Sequence, residues 1–224
     1  MEEIKFYETI EGHKIVNQQY WSSKLKEYLK LEEEFLTKNI NKCATLLDIG
    51  SGEGRHLALL SNKCSKLFGV DYSKTMVEYS RKALKDFKNI FIFHNDIKDI
   101  ELLSNSFDYI ICMFNTFGNM GEETQNKLLE HVDRLLKPQG KFILSLYSEN
   151  AKETQIDFYN KIGLAIKNCD DNFVYTNKFT SERFSKDKIQ RILSKIPNLK
   201  IKNIVPLNEI SYIVEIEKIS KLIS

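Results

Sequence analysis

The feature that most constrains this fold is an alternation of short apolar runs with helix-forming segments between residues 44 and 147. Five of the runs have the length and apolar character of buried strands. They lie at 44–49, 66–70, 89–94, 107–113 and 141–147. Most of the intervening segments predict helices, at 55–62, 73–87 and 122–136. Strands and helices that alternate in this way predict a parallel sheet covered by helices.

The C-terminal part has a different pattern. Residues 148–184 read as an insertion, because a direct connection from the fifth strand to the next helix would be short. Within it we expect a helix at 151–162 and a hairpin around Asp170 and Asp171. After a helix at 185–196, two strands follow in close succession, at 199–207 and 211–218. Their short connection predicts an antiparallel pair, since a parallel crossover needs about a dozen residues.

Together these patterns predict an α/β fold with a Rossmann-like, doubly wound, seven-stranded sheet. The sheet should be mostly parallel with an antiparallel C-terminal strand, and helices should cover both faces. We expect residues 1–224 to form one domain, with an N-terminal helical cap at 1–42 and a ligand-binding core at 43–147. The insertion at 148–184 and a C-terminal helix and strand pair at 185–224 complete it.

The composition excludes several classes of protein. Hydrophobic residues make up 42% of the chain and charged residues 29%, which is typical of a soluble globular protein. No apolar run approaches the roughly 18 residues that a membrane-spanning helix needs. The N-terminus is acidic and mixed and lacks the pattern of a secretory signal. The four cysteines are far apart, which argues against a disulfide framework or a zinc site. We therefore expect a cytoplasmic protein with no bound metal.

A glycine-rich turn follows the first strand. Asp48 lies near the strand end, and Gly50, Gly52 and Gly54 follow at alternate positions around Ser51. Glycines allow a tight turn and a close approach of the backbone to a ligand. The helix after the turn presents free N–H groups that can bind a carboxylate or a phosphate. This segment predicts a ligand-binding loop.

The next two strands also end near acidic residues. Asp71 ends the second strand, and its carboxylate can accept hydrogen bonds from both hydroxyls of a ribose. Asp96 follows the third strand and can accept from an exocyclic amine, while the Ile97 amide can donate to a ring nitrogen of adenine. The carboxyl ends of parallel strands share one edge of the sheet, so these acids should face one crevice.

The details of the turn discriminate between two nucleotide ligands. A dinucleotide-binding turn reads G-x-G-x-x-G, but Arg55 stands where its last glycine would be. The acid at position 48 also disfavours a pyrophosphate, whereas it suits a ligand with an amino group. S-adenosylmethionine carries an ammonium, a carboxylate, a ribose, an adenine and a positively charged sulfonium. We therefore expect S-adenosylmethionine as the cofactor, with S-adenosylhomocysteine as its product.

The motifs resemble those of class I S-adenosylmethionine-dependent methyltransferases. The resemblance covers residues 44–147 and comprises, in order, LLDIGSGEGR, GVDYSKTM, HNDI and LKPQGKFILSLY. It implies that Asp48 and the loop from Gly50 to Gly54 hold the methionine part of the cofactor. It further implies that Asp71 binds the ribose hydroxyls. The remaining implied contacts are with adenine and the cavity floor, from Tyr72, Met76, Asp96, Ile97, Met113 and Phe114.

Catalytic residues are difficult to identify from this sequence. Methyl transfer from a sulfonium is an in-line displacement with a good leaving group, so the protein mainly has to position the acceptor atom. In the family, the segment after the fourth strand faces the methyl group. Asn115 in this segment is a candidate for hydrogen bonding a substrate or the cofactor, and it can equally well organise the loop.

Several other residues are candidates for contact with the cofactor or for a purely structural role. Tyr7, Tyr20 and Trp21 can form a lid over the cofactor, but packing of an N-terminal helix onto the sheet is the more common role. Arg55 can reach a carboxylate or remain at the surface. His94 reads as a buried, satisfied histidine.

The insertion contributes a set of aromatic residues. These can line an acceptor pocket or form a small satellite core. They are Phe158, Tyr159, Phe173, Tyr175 and Phe179.

Residues 178–202 form a basic stretch that can contact phosphates or simply be a solvated helix face.

The leading hypothesis is a methyltransferase that modifies an N, O or S atom of a small molecule. The alternatives are an RNA or protein methyltransferase that docks through 178–202, a NAD(P)-dependent oxidoreductase, and a non-catalytic scaffold that binds the cofactor.

Overall fold

The computed structural model describes residues 6–220, apart from the side chains of Ile10 and Glu11. Among these residues the strands and helices alternate through the core and end in an antiparallel pair. The strands are β1 (Thr45–Ile49), β2 (Lys66–Asp71), β3 (Ile90–His94), β4 (Phe107–Cys112), β5 (Leu136–Tyr147), β6 (Ile166–Cys169), β7 (Phe173–Thr176), β8 (Thr180–Glu182), β9 (Leu199–Asn208) and β10 (Ser211–Lys218). The α-helices are α1 (Ile10–Val16), α2 (Ser23–Asn39), α3 (Arg55–Leu60), α4 (Lys74–Ala83), α5 (Glu122–Leu135), α6 (Lys152–Lys161) and α7 (Lys186–Leu193).

Seven strands form the main sheet in the order β3-β2-β1-β4-β5-β10-β9. The pairs from β3 to β5 are parallel, and β10 is antiparallel to both β5 and β9. This confirms the predicted doubly wound sheet with its antiparallel C-terminal strand. The strand order reverses between β1 and β4, so the crevice expected for a ligand lies beyond the ends of these two strands.

Helices cover both faces of this sheet because successive strand residues point to opposite sides. Leu47 and Ile49 belong to a core with α5 and α7, whereas Leu46 belongs to a core with Leu57 and Leu60 of α3. A third core joins the N-terminal segment to the insertion and includes Phe6, Trp21, Tyr28, Phe158 and Phe179. The predicted cap and insertion therefore pack on each other above the carboxyl edge of the sheet.

The structure also corrects the predictions. The fifth strand begins at Leu136 rather than 141, because Leu136 pairs with Phe107. The predicted hairpin is present as β6 and β7, but β8 adds a third strand that the sequence did not predict. Its three residues are too few for a recognisable apolar pattern. His94 is exposed rather than buried because it ends the edge strand β3.

No helix within residues 6–220 combines the length and the apolar character that crossing a membrane would require.

Candidate functional site at the carboxyl edge of the sheet

The glycine loop after β1 is held in a left-handed conformation. Gly50 and Gly52 have φ angles of 69° and 52°. The N–H groups of Gly50 and Ser51 donate to the Val70 carbonyl at 2.9 and 3.1 Å, which ties the loop to β2. A Cβ atom on Gly50 would lie 2.4 Å from Cγ2 of Thr116, so only glycine fits at this position without a shift of the neighbouring loop.

Asp71 at the end of β2 organises the same loop. Its carboxylate accepts hydrogen bonds from the Gly52 N–H at 2.8 Å and from the Ser73 N–H at 2.9 Å. Burial, together with the negative charges of Asp48 and Glu8, raises the pKa of Asp71 to about 6, against the lowering effect of these two hydrogen bonds. Each carboxylate oxygen has lone pairs beyond the one used here, so Asp71 can still accept from a ligand.

One cavity lies beside this loop and holds most of the predicted ligand-binding residues. The predicted residues that line it are Gly50, Ser51, Gly52, Arg55, Asp71, Tyr72, Met76, Met113 and Phe114. Its other lining residues are Tyr7, Ile15, Val16, Gln18, Trp21, Glu53, His56, Thr116, Asn119 and Met120. The charged side chains in this lining, together with His56, all come from the glycine loop, α3 and β2.

Several predicted site residues do not line this cavity. Asp48 is buried behind the glycine loop, and its Oδ2 lies 3.7 Å from Nδ1 of His56. Gly54 is the N-terminal cap of α3. Tyr20 lies beside the Lys14 ammonium, which is 5.9 Å from the centre of its ring.

The segment after β3 also lies outside the cavity lining. Asp96 accepts a hydrogen bond from the Lys98 N–H at 3.0 Å and lies 3.2 Å from the Lys98 ammonium. Ile97 packs into the core. Adenine contacts by Asp96 and Ile97 therefore stay a prediction.

Asn115 organises the loop after β4. Its Oδ1 accepts from the Tyr147 N–H at 3.0 Å, and its Nδ2 donates to the Ser181 hydroxyl and the Glu182 carbonyl, each at 3.2 Å. The side chain is fully buried and does not border the cavity. Of the two interpretations of Asn115, the structure favours the organising role over contact with a substrate.

The N-terminal segment borders the cavity and also packs against the loop after β4. Trp21 stacks on Phe114 with 4.9 Å between ring centres, and its indole N–H donates to the Ile15 carbonyl at 2.8 Å. Tyr7 makes an edge contact with Tyr72 at 5.8 Å on the opposite side. The lid and packing interpretations of Tyr7 and Trp21 are therefore compatible, and both residues border the cavity.

The aromatic residues of the insertion do not line this cavity. Phe158, Tyr159 and Phe179 are buried in the core shared with the N-terminal segment. Phe173 borders a separate groove, and Tyr175 donates a hydrogen bond to Asp170 at 3.1 Å. These positions favour the satellite-core interpretation.

The basic stretch 178–202 is not a uniform positive surface. Arg183 is 1% exposed, and its guanidinium donates to Gln155 Oε1 at 2.6 Å and to the Phe173 carbonyl at 3.3 Å. Other bases form ion pairs with acids, namely Lys188 with Glu182, Lys195 with Glu122 and Lys202 with Glu217. These contacts weaken the hypothesis of docking to RNA through this stretch.

Sequence reasoning missed a buried acid on α2. Glu32 is fully buried, and its Oε1 accepts from the Phe114 N–H at 2.8 Å. Burial raises the pKa of Glu32, but His56 and Arg55 outweigh this effect, so the pKa lies below its ordinary value. A signal was present in the sequence, because Glu32 lies on the same helical face as Leu25, Leu29 and Leu36.

Comparison with known proteins points to one family. Residues 46–140 match the family model described as a methyltransferase domain. The ubiquinone/menaquinone biosynthesis C-methyltransferase UbiE of Rickettsia bellii is 30% identical over 138 residues, which cover 57% of this chain and 54% of the relative. The chain thus spans about half the length of the curated relatives that it matches.

Two solved structures share the fold. An S-adenosylmethionine-dependent methyltransferase from Clostridium acetobutylicum has a TM-score of 0.66 and 16% identity, covering 88% of this chain and 92% of its own. The Burkholderia thailandensis 1,6-didemethyltoxoflavin-N1-methyltransferase was solved with 1,6-didemethyltoxoflavin and S-adenosylhomocysteine bound. It has a TM-score of 0.64 and 14% identity, covering 84% of this chain and 76% of its own.

Proposed function

We propose that this chain is a class I S-adenosylmethionine-dependent methyltransferase that methylates an N, O or S atom of a small, uncharged molecule. The match of residues 46–140 to the methyltransferase domain model, the similarity to UbiE and the shared fold support the first part of the proposal. One observation carries the proposal. The glycine loop, Asp71 and the loop after β4 border a single cavity, and the residues that line it from the N-terminal segment and from the loop after β4 carry no charged side chains. A cofactor and an acceptor can therefore meet between Gly50 and Phe114.

The residues at the charged end suit S-adenosylmethionine. The Ser51 hydroxyl is buried and has no hydrogen-bond partner among the described residues, although Ser51 borders the cavity. Asp71 retains lone pairs for the ribose hydroxyls. Tyr72 and Met76 offer apolar surface to adenine. When bound, the cofactor supplies an electrophilic methyl group for in-line displacement.

The uncharged part of the cavity lining indicates which acceptors can bind. Its walls come from the N-terminal segment and from the loop after β4 and are apolar or uncharged. They are Tyr7, Ile15, Val16, Gln18, Trp21, Phe114, Asn119 and Met120. Against these uncharged walls, a phosphorylated or strongly cationic acceptor would lose hydration without contacting an opposite charge, which is unfavourable. Gln18 and Asn119 can hydrogen bond a polar atom and orient a mainly apolar molecule.

The chain's contribution to the reaction is positioning. The stacked rings of Trp21 and Phe114 provide a flat wall, and the N-terminal segment contributes Tyr7, Ile15, Val16 and Gln18 to the same lining. Holding the acceptor atom about 3–3.5 Å from the reacting carbon accounts for much of the rate that such enzymes achieve. The names of UbiE and of the toxoflavin enzyme support a small-molecule acceptor.

Isothermal titration with S-adenosylmethionine and S-adenosylhomocysteine tests the cofactor. We expect binding by the wild type, weaker binding by Asp71→Asn, and unchanged binding by the control Asp86→Asn, whose side chain is exposed. Absence of binding by the wild type would contradict the proposal.

Transfer of tritium from methyl-labelled cofactor to a cell extract tests the acceptor. We expect label in the ultrafiltrate of small molecules. Label confined to RNA or protein, and removed by ribonuclease or protease, would instead support the macromolecular alternatives.

A further inference from the structure

Four charged or titratable side chains meet in the protein interior beside the cavity. Asp48 Oδ2 lies 3.7 Å from His56 Nδ1, and His56 Nε2 lies 3.8 Å from Glu32 Oε2. Arg55 Nη2 lies 3.6 Å from the same Glu32 oxygen. Asp48, His56 and Glu32 are all nearly or fully buried. We call Asp48, His56 and Glu32 the acid–histidine chain.

Charge attraction, rather than hydrogen bonding, holds the acid–histidine chain together. Glu32 Oε2, Asp48 Oδ2 and His56 Nε2 are buried without a hydrogen-bond partner among the described residues. The distances between them are too long for hydrogen bonds but short enough for ion pairs. A neutral imidazole would therefore leave two buried carboxylates with much less compensation.

The surroundings favour a protonated His56. Burial and Arg55 lower the pKa of His56, but Asp48 and Glu32 outweigh them, so the pKa lies above its ordinary value. The titratable and charged groups that face the acid–histidine chain come from α2, β2, α3, β4 and β5. They are Tyr28, Arg55, Asp71, Cys112 and Tyr147.

The acid–histidine chain contacts the loop after β4, which borders the cavity. Glu32 Oε1 accepts from the Phe114 N–H at 2.8 Å and from the Ser145 hydroxyl, and the same Phe114 N–H also donates to the Ser145 oxygen at 2.6 Å. Phe114 and Asn115 both have left-handed backbones, with φ angles of 52° and 57°. Such conformations are uncommon for residues with a Cβ and persist only where surrounding contacts impose them.

We propose that Glu32 and His56 are positioning residues for methyl transfer. The His56 imidazolium, held between Asp48 and Glu32, fixes the carboxylate that locks the strained Phe114 backbone at the cavity wall. This inference rests on the proposed function, because Phe114 matters for catalysis only if the cavity binds cofactor and acceptor. Loss of the His56 proton at alkaline pH then releases the Phe114 N–H and slows methyl transfer.

The first experiment follows His56 and Phe114 by NMR without any need for activity. We expect the His56 imidazole to titrate above pH 6.5 in the wild type, and the protection factor of the Phe114 amide to fall about tenfold through the same midpoint. Glu32→Gln should lower the His56 midpoint. The control Glu33→Gln should leave it unchanged, because Glu33 lies next in the helix but pairs with the outer side of Arg55 at 3.0 Å.

The second experiment measures the tritium-transfer rate, with the small-molecule ultrafiltrate as the source of acceptor. We expect the wild type and Glu33→Gln to show the same alkaline decline, whereas Glu32→Gln and His56→Gln should be at least tenfold slower near neutral pH and lack that decline. S-adenosylhomocysteine affinity should change little among the wild type, Glu33→Gln and Glu32→Gln, because neither glutamate lines the cavity.

The two proposals fail in different ways. If wild-type protein does not bind S-adenosylhomocysteine, the proposed function fails, while the NMR titration still reports on the acid–histidine chain. A His56 midpoint at or below its ordinary value, or Phe114 protection that does not follow it, overturns the positioning role. The wild-type pH series alone decides this if His56→Gln does not fold.

Discussion

Acidification should weaken cofactor binding through a single carboxylate. Burial raises the pKa of Asp71 to about 6 in the free protein. The ionised form is the one that can accept both ribose hydroxyls. With a pKa near 6, the ionised fraction falls from about nine tenths at pH 7 to about one tenth at pH 5. The Kd for S-adenosylhomocysteine should therefore rise about tenfold between these pH values.

The same pKa has a consequence for folding. A carboxyl whose pKa is higher in the folded than in the unfolded state destabilises the fold once it is ionised. The rise of the Asp71 pKa from its ordinary value of 3.8 to about 6 corresponds to about 3 kcal/mol. This destabilisation is absent below about pH 4 and complete above about pH 6. A ligand that donates hydrogen bonds to Asp71 should offset part of it.

Isothermal titration from pH 5 to pH 7 measures the effect on affinity. Asp71→Asn should bind about 10- to 100-fold more weakly at pH 7, because hydrogen bonds to charged groups contribute about 1.5–3 kcal/mol. Its affinity should also lose most of the pH dependence. The control Asp86→Asn should behave as the wild type. A wild-type Kd that stays flat over this range, or an equal slope in Asp71→Asn, would refute the reasoning.

Three further predictions follow from particular contacts. Gly50→Ala should destabilise the protein by about 1–2 kcal/mol because of the left-handed φ at this position, and the clash with Thr116 should add to this loss. Thermal unfolding measures the total loss, and an unchanged Tm would contradict the prediction. Arg183→Ala should cost about 3–5 kcal/mol, since the buried guanidinium satisfies several carbonyls; denaturant unfolding checks this, and a loss below 1 kcal/mol would be inconsistent with it. A thiol reagent should label exposed Cys43 rapidly in the native protein but should not label Cys64, because Cys64 is buried and burial raises its pKa to about 11. Equal labelling rates at the two cysteines would contradict this prediction.

The sequence was most informative where local patterns determine local structure. The apolar runs predicted β1 to β5, and the glycines with Asp71 predicted the loop that borders the cavity. These features depend on residues close together in the chain. β8 escaped prediction because three residues of mixed polarity carry no periodic signal, and it forms only through pairing with β7.

Contacts between distant segments could not be predicted in the same way. Glu32 meets His56 across 24 positions of sequence and Phe114 across 82. The sequence shows an acid on an apolar helical face but does not identify its partners. Asn115 was identified as important, yet its partners Tyr147 and Ser181 lie 32 and 66 positions away in the sequence and could not be read from it.

The stacking of Trp21 on Phe114 also provides a built-in optical probe. Trp21 is the single tryptophan of the chain, so its indole alone dominates the emission excited near the red edge of protein absorption. Because the ring borders the cavity, an acceptor that enters should change the intensity or colour of that emission directly. Unlabelled protein can therefore be screened against collections of candidate acceptors in a plate reader.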